Sequence, residues 1–202
     1  MRLVALGVTV WALLARTSCF YIYGTCVAVN VLSYFTIQSH VIMSIALVLG
    51  VTFALRRSPE PPWLSTLRLL ATTYVVVSGG IFALLIVDAA RSPFLLQASI
   101  PTQLLHFILP VYAVWDFVVL TRDALPFRTA LLSLGFPVVW AAYTLVRGPS
   151  ANWYPYFFLD PDEAGGYGMI SFYALGLSVV ILAVAFALVA STRIGAHHLP
   201  SG

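Results

Sequence analysis

The chain has 202 residues, 61% of them hydrophobic and only 8% charged, with a formal net charge of +3. A soluble domain carries charge on about a quarter of its residues, so a chain with mean hydropathy +0.97 cannot cover its surface with polar groups in water. Its cations are all arginine and too sparse for a nucleic-acid footprint; they read instead as marks of membrane topology.

Within hydrocarbon every backbone polar group must be satisfied internally, which leaves helix bundles or closed barrels. Barrel strands alternate apolar and polar residues, whereas long unbroken apolar runs occur here. The fold expected is therefore all-α, a single domain over 1–202 and a polytopic bundle of six transmembrane helices. In chain order the spans run from Leu3 to Tyr23, Leu32 to Leu55, Trp63 to Val87, Ile100 to Leu120, Phe127 to Val146 and Tyr167 to Thr192. Each approaches the ~20 apolar residues that a bilayer demands. The breaks RRSPEPP, DAARSP, TRDALP and RGPSANWYPYFFLDPDEAGG collect the charges, prolines and glycines that end such helices.

The first stretch also has the look of a secretory signal peptide, with one charge ahead of a short apolar run. It lacks a small-x-small cleavage site, so it reads as a retained span. Arg16 then falls in the outer half, snorkelling outward or paired with an acidic group. With the N-terminus in the cytoplasm, Arg2, Arg56, Arg57, Arg122, Arg128 and Arg193 lie inside, Arg68 near that boundary, and only Arg91 and Arg147 outside. The positive-inside rule thus puts both termini in the cytoplasm. Cys19 and Cys26, seven apart, are roughly 10 Å apart along a continuous helix and cannot bridge there. They read as small apolar packers, and a disulfide requires the segment to loop.

Polar side chains inside a span are costly and mark function by default. They are Thr36, Gln38 and His40 in the second span, and Thr102, Gln103, His106 and Asp116 in the fourth. Serines and threonines elsewhere can bond back to a carbonyl one turn earlier. Counted from the outer ends, Thr36 is roughly 6 Å deep and His106 roughly 9 Å, nearly the same level on two helices. Thr36, Ser39 and His40 share one helical face, as do Thr102, Gln103 and His106, whereas Gln38 points elsewhere. Pro110 leaves the His106 carbonyl without its helical donor and favours a bend there. Asp116 is roughly 15 Å deeper and reads as structural, facing arginines at the inner end. His197 and His198 belong to a polar tail with no catalytic part.

Three motifs carry a resemblance. SYFTIQSH resembles the F-T-x-Q-S/T-N signature that opens the second span of a bacterial family of six-helix membrane proteins. LLHFILPVYAVWD resembles that family's fourth span, and NWYPYFFLDPDEAGGYG its W-Y-P-x-x-F-L-D-P…G-Y-G outer loop. The family is similar in turn to the androgen-induced and androgen-dependent transmembrane proteins, intramembrane threonine hydrolases of fatty acid esters of hydroxy fatty acids. The resemblance implies a bacterial cytoplasmic membrane protein that hydrolyses lipid esters at a site toward the outer leaflet. Its threonine nucleophile matches Thr36 and its histidine matches His106. His40 stands where the bacterial signature has asparagine.

Under that reading His106 takes the Thr36 proton and returns it to the leaving alcohol. Because N–H groups within a regular helix are already bonded, the oxyanion donor is expected from a side chain or a bent segment, the side-chain candidates being Gln103 or His40 by face, then Ser39 or Gln38. Trp153 and Tyr154 are expected at the rim of an apolar pocket, as a lid or interfacial anchor. The partners implied are the bilayer and a fatty-acyl ester, with no nucleic acid, cofactor or metal. Two alternatives use the same residues: a non-enzymatic lipid-binding or scaffold protein whose polar groups join helices, and a haem protein ligated by His40 and His106.

Overall fold

The computed structural model describes residues 1–88, 99–121 and 124–196, with side chains given outside 85–88 and 194–196. Arg91, Arg122, His197 and His198 lie outside the described residues. Every regular element among the described residues is helical, and six helices are long and apolar enough to cross a membrane. They span Arg2–Tyr21, Phe35–Leu55, Pro62–Leu84, Ile100–Leu120, Phe127–Ala151 and Tyr167–Arg193. The molecule is an integral membrane protein of six spans.

The third span is the hub. Leu64, Leu69, Ala71 and Val75 along it are fully buried, and it packs on the second, fourth and sixth spans. Toward one end Ala5, Met43, Ala46, Ala71 and Ala113 close the first four spans together. Toward the other, Phe35, Tyr74 and Trp140 pack against Phe158, Leu159 and Ile170 of the last loop and sixth span.

Several boundaries differ from the sequence reading, the fifth span running on to Ala151 among them, and two of the differences matter. The second span does not start at Leu32. A short helix, Ala28–Leu32, ends there, and the Ser33 hydroxyl donates back to the Val29 carbonyl at 2.7 Å. The Ser33 carbonyl meanwhile accepts from the Trp140 indole at 2.9 Å. The chain turns at Ser33 and restarts at Phe35, so Thr36 stands in the first helical turn. The first helix ends at Tyr21, earlier than expected, and the loop that follows brings Cys19 and Cys26 into a disulfide with Cα atoms 5.6 Å apart. The expectation of two separate apolar cysteines is corrected: the helix stops before its rise can hold them apart.

At the opposite end of the bundle Asp116 is ion-paired to Arg2 and Arg68, each at 2.8 Å, and Glu60 pairs with both arginines. Two positive and two negative groups, most of them enclosed, tie the first, third and fourth spans to the loop before the third. Asp116 thus faces arginines, as expected. Arg16 is exposed, with no ion pair among the described residues.

Candidate functional site

Thr36 and His106 meet. The threonine Oγ1 lies 3.3 Å from the imidazole Nε2, although 70 residues separate them. The Ser78 hydroxyl on the third span lies 2.7 Å from the same Oγ1.

The direction of these bonds follows from the far end of the chain. His106 Nδ1 lies 2.9 Å from the Thr102 carbonyl, which can only accept, so Nδ1 carries the proton. In the neutral ring Nε2 must then accept. Thr36 therefore donates to Nε2 and receives from Ser78. The result is one polarised line, Ser78 to Thr36 to His106 to Thr102, in which the imidazole already presents a lone pair to the threonine proton. A hydroxyl and an imidazole so placed can exchange a proton, which is what a nucleophile and its base require.

Local sequence holds His106 in place. Pro110 has no N–H, and the fourth span relaxes into a π-helical turn over Leu104–Ile108; such turns recur at functional sites. The His106 carbonyl, deprived of its usual donor, lies against Gly79. A Cβ built on Gly79 would stand 2.3 Å from that oxygen, so only glycine lets the third and fourth spans approach this closely. Phe82, one turn further along the third span, stacks on the imidazole with centroids 3.8 Å apart.

Thr36, Ser78 and His106 line a cavity of about 150 Å³. Its remaining wall is almost wholly apolar and comes from Phe35 of the second span, from the third, fifth and sixth spans and from the last loop. Two further polar groups in that wall are committed: the Trp140 indole to Ser33 and the Ser178 hydroxyl to the Ala174 carbonyl at 2.8 Å. Thr36, Ser78 and His106 thus form the one polar cluster at the cavity, among the described residues that line it.

The loop adds Tyr156. Its ring is held edge-on by Tyr34 and Trp140 and stacked by Phe158. Its phenol faces the Thr36 side chain and the backbone N–H groups of Phe35 and Thr36. Burial pushes this phenol up from the usual tyrosine range, so it stays protonated and able to donate.

The expected oxyanion donors are not at this cavity. Gln38 bonds outward to the Leu32 carbonyl at 3.0 Å. Ser39 and His40 both bond back to the Thr36 carbonyl, at 3.0 and 2.8 Å, and lock the first turn without lining the cavity. Gln103 is not among the cavity residues either. Backbone donors are at hand instead, because the N–H groups of Phe35 and Thr36 open a helix after the turn at Ser33 and have no partner within it. Nor do Trp153 and Tyr154 form the rim. Trp153 packs on Tyr34 and Arg147, and the Tyr154 ring lies on Gly148, where a Cβ would meet it at 2.0 Å. Tyr156, Phe158 and Leu159 roof the cavity instead.

Sequence reading passed over Ser78 because serines usually bond within their own helix, and Tyr156 because a loop tyrosine at an interface has an ordinary explanation. His40 is fully buried and does not line the cavity that His106 lines. No group of three or more His, Cys, Asp or Glu suited to a metal ion occurs among the described residues. The chain matches no protein-family model, no curated protein and no solved structure.

Proposed function

We propose that this protein is an intramembrane hydrolase of lipid esters, with Thr36 as nucleophile and His106 as general base. The single observation carrying the reading is the 3.3 Å approach of Thr36 Oγ1 to His106 Nε2, with Nδ1 tied to the Thr102 carbonyl, at the end of an apolar cavity.

In the reaction, Thr36 attacks the ester carbonyl as its proton passes to Nε2. The tetrahedral intermediate collapses when the imidazolium returns that proton to the leaving alkoxide, leaving an acyl-threonine and a free alcohol. Water, deprotonated by the same imidazole, then releases the fatty acid and restores Thr36. Negative charge on the carbonyl oxygen is met by the Tyr156 phenol and the N–H groups that open the helix at Phe35 and Thr36. Ser78 keeps a hydrogen bond on the Thr36 oxygen while the proton leaves.

Orientation belongs to the same proposal. The cysteine loop lies at the end of the bundle where the second span begins, and disulfides persist in oxidising compartments. Arginine placement gives the same sense independently, with both termini cytoplasmic. The cavity then opens toward the outer leaflet of a bacterial cytoplasmic membrane.

The test is a panel of fatty-acyl esters, including fatty acid esters of hydroxy fatty acids, offered to purified protein in vesicles. Thr36→Ala and His106→Ala are each expected to abolish hydrolysis and labelling by a fluorophosphonate. Hydrolysis at the parental rate in both variants refutes the assignment. Ester binding with no turnover by the parent favours a lipid-binding protein.

A further inference from the structure

The fifth and sixth spans are tied by hydrogen bonds and a cation over a ring at one end, while at the other they share only a side-chain cluster that includes Trp140 and Ile170. At the first of these ends the Leu125 N–H donates to Thr192 at 3.1 Å, Arg193 donates to the Leu125 carbonyl at 3.2 Å, and the Arg193 guanidinium lies 4.1 Å from the Phe127 ring centroid. Beyond Gly135 the two helices diverge and make almost no backbone contact. The cavity lies in that divergence. Pro137, Val138 and Ala141 line it from the fifth span, and Ala174, Leu177 and Ser178 from the sixth.

Some of these residues have two faces. Val138 is 58% exposed and Ala174 is also exposed, yet both line the cavity. The cavity therefore reaches the lipid-facing surface between the two helices. Above, it is roofed by Tyr156, Phe158 and Leu159, with Phe157 and Phe158 packed on Tyr173 of the sixth span. The way in is sideways.

Volume restricts what fits. An apolar cavity of about 150 Å³ holds a ligand of benzene size, and the cavity here measures about 150 Å³. A long acyl chain is several times larger and cannot be enclosed. We infer that an ester reaches Thr36 from within the bilayer through the gap between the fifth and sixth spans, and that one long hydrocarbon chain stays in that gap during hydrolysis. Only a short segment next to the ester is enclosed. The favoured substrate class is thus an ester with at least one membrane-resident chain. This rests on the hydrolase reading for the word substrate, but the gap as a binding site for a lipid chain does not depend on turnover.

Two measurements keep those claims apart. The first uses a non-hydrolysable long-chain ether analogue of the ester, carrying a diazirine on its chain, irradiated with the parent protein in phosphatidylcholine vesicles. Its adducts are expected on facing residues of the fifth and sixth spans, from Val138 to Ala141 and from Ala174 to Ser178. Adducts confined to other spans, or spread evenly over all lipid-facing residues, overturn the inference whether or not the protein hydrolyses anything. The second compares a long-chain ester with a water-soluble acetate ester. Ala174→Trp, which fills the gap, is expected to lower the ratio of long-chain to acetate turnover at least tenfold. Leu175→Trp, one residue away and 65% exposed to lipid, is expected to leave the ratio unchanged. An unchanged ratio in Ala174→Trp overturns the route. If the parent hydrolyses neither ester, the hydrolase reading falls and the adduct map alone decides whether the gap binds a lipid chain.

Discussion

Gly79 offers a test of how tightly the site is built. In Gly79→Ala the new Cβ would stand 2.3 Å from the His106 carbonyl oxygen, where ordinary contact begins near 3.4 Å. The third and fourth spans must therefore separate by about 1 Å at that point. Neither party can yield alone, since the oxygen is backbone and Pro110 Cγ lies only 3.2 Å from the same Cβ position. Carried to the imidazole, this displacement opens the 3.3 Å contact with Thr36 beyond hydrogen-bonding range. A misplacement of ~1 Å can cost ~100-fold in rate, and that is the expected loss in ester turnover. Stability responds in two directions: overpacking costs about 1–3 kcal/mol, offset by about 1 kcal/mol from replacing glycine in a helix. Gly80→Ala is the control, because a Cβ there meets nothing within 4 Å; it should keep its turnover and melt no lower than the parent. The assay is initial-rate hydrolysis in vesicles alongside thermal unfolding in detergent. Identical behaviour of the two alanine variants in both measurements would refute the close approach and its role in placing His106.

Other outcomes follow from single contacts. Tyr156→Phe removes one hydroxyl from a packed ring and should lower kcat about 100- to 1,000-fold, the usual cost of an oxyanion donor, with little change in KM; parental kcat would remove the phenol from the reaction. Because burial keeps that phenol protonated past the ordinary tyrosine range, its loss of the proton should not produce a fall in rate below about pH 10, and an alkaline limb below pH 10 that disappears in Tyr156→Phe would contradict this. Asp116→Ala leaves two enclosed arginines facing only Glu60 and should destabilise by about 3–5 kcal/mol, read by thermal unfolding in detergent; a change below about 1 kcal/mol would mean that these ions are solvated. Cys19→Ser opens a short loop and should cost roughly 2–3 kcal/mol under oxidising conditions, a difference that should vanish when both proteins are reduced.

Much of this molecule is determined by composition and order along the chain. Hydrocarbon forces backbone bonds inward and sets a minimum apolar length, so six runs of that length dictate six spans. The same cost of burying polar groups makes Thr36, His106 and Asp116 conspicuous, and Pro110 announces the disturbed turn beside His106. What the chain order could not decide is where each helix stops and what crosses between helices. One early stop, at Tyr21, turns two separated cysteines into a disulfide. One late start, at Phe35, puts Thr36 in the first helical turn, where N–H groups lack helical partners and face the Tyr156 phenol instead. Ser78 and Tyr156 become parts of the site only because the third span and the last loop pack against Thr36. Their partners lie 42 residues away in one case and in a different span from the loop in the other. No periodicity encodes such contacts; they exist only once the helices have chosen their neighbours.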